Sequence, residues 1–241
     1  MSEATIVLPC FNEEKRLDDV LVADMLADPG VRLLFVDDGS SDGTLAMLHA
    51  LASKHPGRVR VLALAHNRGK AEAVREGLRA AVADGADVVA YLDADFATPP
   101  SEMKRILAAL FADRSLRAAL GARVALLGTH IERKAARHYL GRVFATAASM
   151  VLGVRVYDTQ CGAKAFRVDD VFRAAVERPF TSKWVFDVEL LDRLLAHDRS
   201  GARIAEVPLH EWRDVRGSKL GTGAMLHAGV DLARIAARRA R

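Results

Sequence analysis

Cysteine is almost missing from these 241 residues: Cys10 and Cys161 are the only two, too few and too far apart for a disulfide framework, with no metal-ligand spacing around them. A reducing cytoplasm is the expected setting. Proline is scarce, at 7 residues, and 51% of the chain is apolar, so neither disorder nor a fibrous fold is indicated. No apolar run reaches the roughly 18 residues that suggest a membrane crossing. The opening MSEATIVLPC has no basic stretch followed by a long apolar one, so no cleaved signal is expected in it. The glycine fingerprints G-x-x-x-x-G-K-[ST] and G-x-G-x-x-G are absent, which leaves nucleotide binding by either loop unsupported. Zinc ligand sets, a helix-turn-helix pattern and an aromatic-interleaved basic sheet are also lacking, and nucleic acid is not an expected partner.

What remains is ordinary globular material with 27% charged residues, enough for one large α/β domain. The net charge of +4 is unevenly placed. Between Arg114 and Arg142 seven Lys/Arg stand against Glu132 alone, and from Arg213 to Arg241 seven stand against Asp214 and Asp231. Local positive surface of this kind suits a phosphate or an anionic membrane.

Apolar runs and helical stretches alternate in the first half: ATIVL, a helix from about Glu13, VRLLFV, a helix from about Gly43, RVRVLAL, a helix from about Gly69, and DVVAYL. That rhythm predicts a mostly parallel sheet with helices on both faces. Ligands of such sheets bind beyond the carboxyl ends of the strands. A polar cluster follows each run: PCFNEE, DDGSSDG, AHNRGK and DADFATPP. Four loops on one rim make one site. The second half breaks the rhythm with a strand-like AALGARVALL, a long helix from about Glu132 to Leu152, VYDTQCGAKAFR, a helix near Val168, another across WVFDVELLDRLLAH, a strand RIAEVPLHEW, a Gly-punctuated RDVRGSKLGTG and a final basic helix. One domain is expected, with a donor half over about 1–113 and an acceptor half over about 114–241.

Asp93 and Asp95, one residue apart after an apolar strand, are able to hold a hydrated Mg²⁺ or Mn²⁺ through oxygen ligands. Two nearby aspartates in a loop are more often turn and cap residues, and both readings stay open on the motif alone. Asp37 and Asp38 end a second strand, where a buried carboxylate accepts from a base N–H, and Asp42 is a good helix cap. Lys70 follows Gly69 at a helix start, where backbone N–H groups and the helix dipole favour phosphate.

In this order and spacing, IVLPCFNEE, LFVDDGSSDGT, NRGKAEAVREG and YLDADFATPP resemble the inverting glycosyltransferases of family 2, which have the GT-A fold. DTQCGAKAFR, WVFDVELL and EVPLHEWRDVRGSKL resemble the polyprenyl (dolichyl) phosphate β-glucosyltransferase branch. The resemblance implies a metal-dependent hexosyltransferase moving glucose from UDP-glucose to a polyprenyl phosphate. The alternatives are a GDP-mannose-dependent mannosyltransferase, a family 2 enzyme with a soluble hydroxyl acceptor, and a nucleotide-sugar-binding module without turnover. It implies that Pro9, Asn12 and Glu13 border the base and ribose, that Asp37 or Asp38 reads the base, and that Lys70 lies near the diphosphate. Asp93, next to Ala94 in the same motif, would help place ribose and metal, with Asp95 the principal metal ligand.

A phosphate monoester is already an anionic nucleophile, so such an acceptor needs positive charge rather than a strong general base. Arg123, Arg133, Lys134, Arg213, Arg216 and Lys219 are the candidates to hold it, with GSKLGTG a flap over the donor. Asp187 stands where hydroxyl-directed relatives carry a catalytic acid and is expected to orient rather than to act as base, with Glu189 on another side of the helix and solvated. Cys161 reads as a packed small residue; His130, His138 and His210 show no ligand spacing and read as surface or core residues, with His210 beside Trp212 placed to touch a sugar. Two segments are amphipathic enough for a membrane surface: YLGRVFATAASMVLGV, for which packing on the sheet is preferred, and AMLHAGVDLARIAARRAR, for which either role stands. Peripheral attachment at the cytoplasmic face reconciles a lipid acceptor with the lack of a spanning helix.

Overall fold

The computed structural model describes residues 3–132, 135–214 and 222–239. Nine strands and eight helices follow one another among them as β1 (Ala4–Cys10), α1 (Asp19–Leu26), β2 (Val31–Asp37), α2 (Thr44–Lys54), β3 (Val59–Ala63), α3 (Lys70–Ala83), β4 (Val88–Leu92), α4 (Pro100–Ala112), β5 (Ala118–Ala122), β6 (His130–Glu132), α5 (Ala135–Leu152), β7 (Ala163–Arg167), α6 (Asp170–Glu177), α7 (Phe186–Leu195), β8 (Ile204–Pro208), β9 (Glu211–Arg213) and α8 (Thr222–Arg239). Seven strands form one sheet in the order β3-β2-β1-β4-β7-β5-β8, and β6 pairs with β9 in a separate parallel ribbon. The predicted mostly parallel α/β sheet is the observed one. Only β7 runs antiparallel, wedged between β4 and β5.

Side chains alternate across β1 and so feed two cores. Ile6 and Leu8 pack with Val22, Met25, Leu48, Met103 and Leu110 on one face, while Val7 between them packs with Val74, Leu78, Phe172 and Leu191 on the other. Each such buried side chain contributes about 1.5–3 kcal/mol, which is why the sheet needs no crosslink. Helix α3 lies close enough to β1 and β2 that a Cβ on Gly77 would stand 2.3 Å from Val7 Cγ1 and 2.7 Å from Val36 Cγ2. That contact draws the start of α3, with Lys70, against the rim.

Several expected boundaries move. The first helix begins at Asp19 rather than near Glu13, because Glu13 O accepts from the backbone N–H of Arg16 and Leu17 in a tight turn, and Asp18 caps the helix by accepting from Val20 N. The strand expected across AALGARVALL stops at Ala122, where Arg123 turns aside to Asp158. Glu132 belongs to β6, not to the following helix, and RIAEVPLHEW splits at Leu209, whose N–H donates to Ala122 O.

The strand order reverses between β1 and β4, and at such a switch point adjacent loops part to leave a crevice. The loops after β1 and β4 carry Asn12, Glu13, Asp93 and Asp95. The antiparallel β7 adds a fifth loop to the expected four, because its leading residues, Asp158 to Gly162, arrive at the same rim.

Candidate active site

Asp93 leaves β4 with its N–H donating to Gly162 O at 2.9 Å. Its Oδ1 lies 2.6 Å from Lys70 Nζ and is otherwise a buried oxygen without a hydrogen-bond donor. Asp95 Oδ1 accepts from Ala97 N at 3.1 Å, so the turn-capping reading holds for one of its oxygens. Burial, then the charge of Asp93, pushes the Asp95 carboxyl above its ordinary value. Phe96 closes this turn at φ 49, a costly conformation for a bulky residue, of order 1–3 kcal/mol, and its ring is fixed in the core at 1% exposure. Ala94 is buried between the two carboxylates. Burial by itself would lower the Lys70 pKa, but Asp93, Asp187 and Asp95 outweigh it and hold the ammonium above the usual lysine value.

The two aspartates after β2 divide their work. Asp38 spends both oxygens on backbone N–H groups, Arg68 at 2.7 Å and Gly69 at 2.8 Å, and so ties the NRGK loop down. Asp37, 2% exposed, accepts from Ser40 N through Oδ2 and keeps Oδ1 buried and unpartnered. A buried acceptor lacking its donor is costly, and of the pair Asp37 is the one with an oxygen still open. Asn12, at φ 56, links the first two loops: its N–H donates to Ser40 Oγ and its Oδ1 accepts from Ser41 N. Pro9 pairs in register with Val36 inside the sheet, and the Glu13 carboxylate is taken up by Arg16. Neither therefore presents an unpaired polar side-chain group.

Behind Asp93 lies a buried network that the sequence reading missed. Lys164, on β7 and 0% exposed, directs Nζ to Tyr91 OH at 2.8 Å, Asp187 Oδ1 at 2.8 Å and Cys161 O at 2.5 Å. Tyr91 OH also donates to Asp187. A lysine inside the alternating AKAF strand was the available signal, since a charge buried on both sides must be paired. Asp187 is thus 6% exposed and already committed to two donors. Glu189, expected to be solvated, is 1% exposed and receives Thr181 N, Arg193 and Arg238, so it fastens α8 and the chain at Thr181–Ser182.

The acceptor-side candidates are placed differently from one another. Arg123 is not held open for a phosphate: Asp158 receives it through Nε at 2.6 Å and Nη2 at 2.9 Å, and the guanidinium lies 5.2 Å over the Trp212 ring. Burial alone would raise the Asp158 pKa, but Arg123 outweighs it and holds the carboxyl well below the carboxylate range. The reason is spatial, since β7 delivers Asp158 beside the end of β5, a pairing 35 residues apart that no local pattern announces. Arg213 is exposed at the end of β9, and its N–H donates to Ala97 O, two residues past Asp95. Arg133, Lys134, Arg216, Lys219 and the first five residues of GSKLGTG lie outside the described residues, and its last two open α8. Trp212 is buried beneath Arg123, while His210 is exposed beside it. Cys161 is fully buried, as a packing residue would be.

Among the described residues no group of three or more His, Cys, Asp or Glu is placed to hold a metal ion. Two neighbouring carboxylates, one with a buried oxygen short of a donor, still fit a hard cation that completes its shell with water and diphosphate oxygens.

Comparison with known proteins identifies the family and the fold. The sequence profile described as glycosyl transferase family 2 matches residues 5–172. The chain is 31% identical to a human dolichyl-phosphate beta-glucosyltransferase, across 90% of this chain and 69% of that protein. It is 29% identical to a polyprenol monophosphomannose synthase of Mycolicibacterium smegmatis, across 85% and 75%. The crystal structure of glucosyl-3-phosphoglycerate synthase from Mycobacterium tuberculosis with Mn²⁺, UDP and glucosyl-3-phosphoglycerate superposes with a TM-score of 0.69 at 21% identity, over 98% of this chain and 80% of that one. At that identity the likeness speaks for a shared GT-A architecture.

Proposed function

Because the chain belongs to glycosyltransferase family 2, we propose that it transfers glucose from UDP-glucose to a polyprenyl phosphate, with inversion at the anomeric carbon. The observation that carries the acceptor is the state of Asp187. A hydroxyl acceptor needs a carboxylate ready to take its proton, and Asp187 is instead buried against Lys164 and Tyr91. A lipid phosphate attacks as the anion it already is. Its oxygen forms the bond to C1 while the bond from C1 to the UDP oxygen breaks, and the electron pair leaves with UDP, with no proton transfer required. The dolichyl-phosphate relatives support this acceptor, and the mannosyl relative keeps GDP-mannose as the competing donor.

On the donor side, Asp37 Oδ1 would accept from the base, and Lys70 with the first N–H groups of α3 would meet the diphosphate; the N-cap of α3 is Gly69, so no side chain caps it. Asp93 and Asp95 would hold a Mg²⁺ or Mn²⁺, which supplies charge neutralisation to the departing diphosphate. Asp158 fixes Arg123 at the acceptor side of the rim, and Arg213 is an exposed arginine beside the carboxylate turn.

The reading is tested with radiolabelled donors and organic extraction. Label from UDP-glucose is expected in the organic phase only when polyprenyl phosphate is added, with EDTA lowering the rate by at least ~10²-fold, as a loss of several kcal/mol of charge stabilisation requires. Label moving only from GDP-mannose would replace glucose by mannose, and label confined to a water-soluble product would remove the lipid.

Among the described residues no helix is long and apolar enough to cross a membrane. Both amphipathic segments bury one face against the rest of the protein. Helix α8 buries Leu232 and Ile235 and is tied down by Arg238 and Arg239, because their partners Glu189 and Asp192 lie on α7 beneath it. Helix α5 buries Ala145, Ala148 and Leu152 but leaves Tyr139, Val143 and Met150, at 71%, 70% and 79% exposure, on its opposite face. That face is the proposed contact with an anionic membrane carrying the acceptor. Val143→Glu together with Met150→Glu is expected to lower co-sedimentation with anionic vesicles at least ~10-fold, given ~1.5–3 kcal/mol for each buried apolar side chain. Undiminished sedimentation would move the contact elsewhere.

A further inference from the structure

We propose that Lys70 is a built-in occupant of the cation position: in the nucleotide-free protein its ammonium neutralises Asp93, and it yields that carboxylate only when a nucleoside diphosphate arrives to receive it. The inference rests on the donor-site reading above and adds to it an order of events and a residue that enforces it.

Three observations carry it. Lys70 Nζ is 2.6 Å from Asp93 Oδ1, an oxygen that is buried and has no other donor, so the ammonium covers the atom a divalent ion would need first. The protein alone offers that ion little else: among the described residues no third carboxylate, histidine or cysteine is grouped with the pair. Mg²⁺ and Mn²⁺ take several oxygen ligands, so the missing ones must come with the nucleotide and from water. Finally, Lys70 can move. Its side chain is 46% accessible, it carries a compact charge on a flexible stem, and it is the first residue of α3, whose uncapped N–H groups mark where a diphosphate would lie. The ammonium therefore has a second anionic partner within reach, supplied by the ligand that also completes the ion's shell.

Two cations cannot share Asp93 Oδ1 without strong repulsion. The ammonium and the ion compete in the free protein and cease to compete once the diphosphate takes the ammonium. By linkage, each of ion and nucleotide raises the affinity of the other by the same factor.

The test is Mn²⁺ binding, read from the electron paramagnetic resonance signal of the free ion at pH 7.5, with and without UDP, together with UDP binding by calorimetry. Wild-type protein without nucleotide is expected to bind Mn²⁺ weakly and to gain affinity on adding UDP. Lys70→Met without nucleotide is expected to bind Mn²⁺ about tenfold more tightly than wild type, inside the range of ordinary site coupling, and to gain less from UDP. Lys70→Arg keeps a cation there and should stay within threefold of wild type. Arg68→Gln is the control for charge acting through space, because Arg68 pairs with Glu72 and Glu76 and not with Asp93; it should also stay within threefold. A Lys70→Met protein that binds Mn²⁺ no more tightly than wild type, or an Arg68→Gln protein that gains as much, overturns the exchange. Weakened UDP binding with unchanged Mn²⁺ affinity likewise overturns it while leaving the donor site standing. Failure of the wild-type protein to bind UDP at all overturns both.

Discussion

Gly162→Ala is expected to lower sugar transfer by at least ~10²-fold while the chain still folds, the loss that follows when a reacting array is displaced by about an ångström. A Cβ at position 162 would stand 2.1 Å from Oδ2, 2.3 Å from Cγ and 2.7 Å from Oδ1 of Asp93. Contacts that short do not exist, so the carboxylate must swing away from the place where Lys70 now meets it. The backbone there has little freedom to give, because Asp93 N is bonded to Gly162 O and β7 is registered against β4 through Leu92 and Ala163. Swinging a terminal carboxylate costs the fold little, which keeps the expected change in melting temperature to a few degrees. Loss of activity should come with weaker Mn²⁺ binding in the presence of UDP. Activity within threefold of wild type would mean that the position of Asp93 does not limit the reaction.

Lys164→Met carries the largest expected cost in stability. It deletes a buried cation and leaves Asp187 with Tyr91 alone in a largely buried site. Breaking a buried pair from one side costs about 3–5 kcal/mol, which for a chain of this size lowers the thermal midpoint by about 6–20 °C. The double variant Lys164→Met with Asp187→Asn removes both charges and is expected to recover part of that loss, a coupling that independent sites would not show. Urea unfolding measures it. A single variant within 1 kcal/mol of wild type would mean that the pair is not buried in the working protein.

The front of the site was legible for a simple reason. In parallel strands the apolar run and the polar cluster that follows it are adjacent in sequence, so Asp37, Lys70, Asp93 and Asp95 announce themselves locally, and the sheet gathers them. The back was not, because its pieces meet only through β7. The segment AKAFR is short, carries two cations and runs against its neighbours; nothing within it says that Lys164 will lie opposite Tyr91 or that Asp158 will face Arg123. Arg123 looked available because its partner is 35 residues away. The two amphipathic helices show the same limit from another side. Their sequences disclose a polar and an apolar face, but not which partners meet it: α8 is fastened to α7 through Glu189 and Asp192, and α5 buries Ala145, Ala148 and Leu152 while Val143 and Met150 stay exposed.

Both thiols of the chain are enclosed: Cys10 at 1% and Cys161 at 0% exposure, each with its ionisation pushed up by burial, further for Cys10 by Glu13 and Asp37. Thiolate, not thiol, is what alkylating and oxidising reagents attack, so the native protein is expected to react slowly with maleimides. A single cysteine placed at Val143 would then be the one fast-reacting sulfur, and a polarity-sensitive dye attached there could report on its surroundings without removing anything the protein already has.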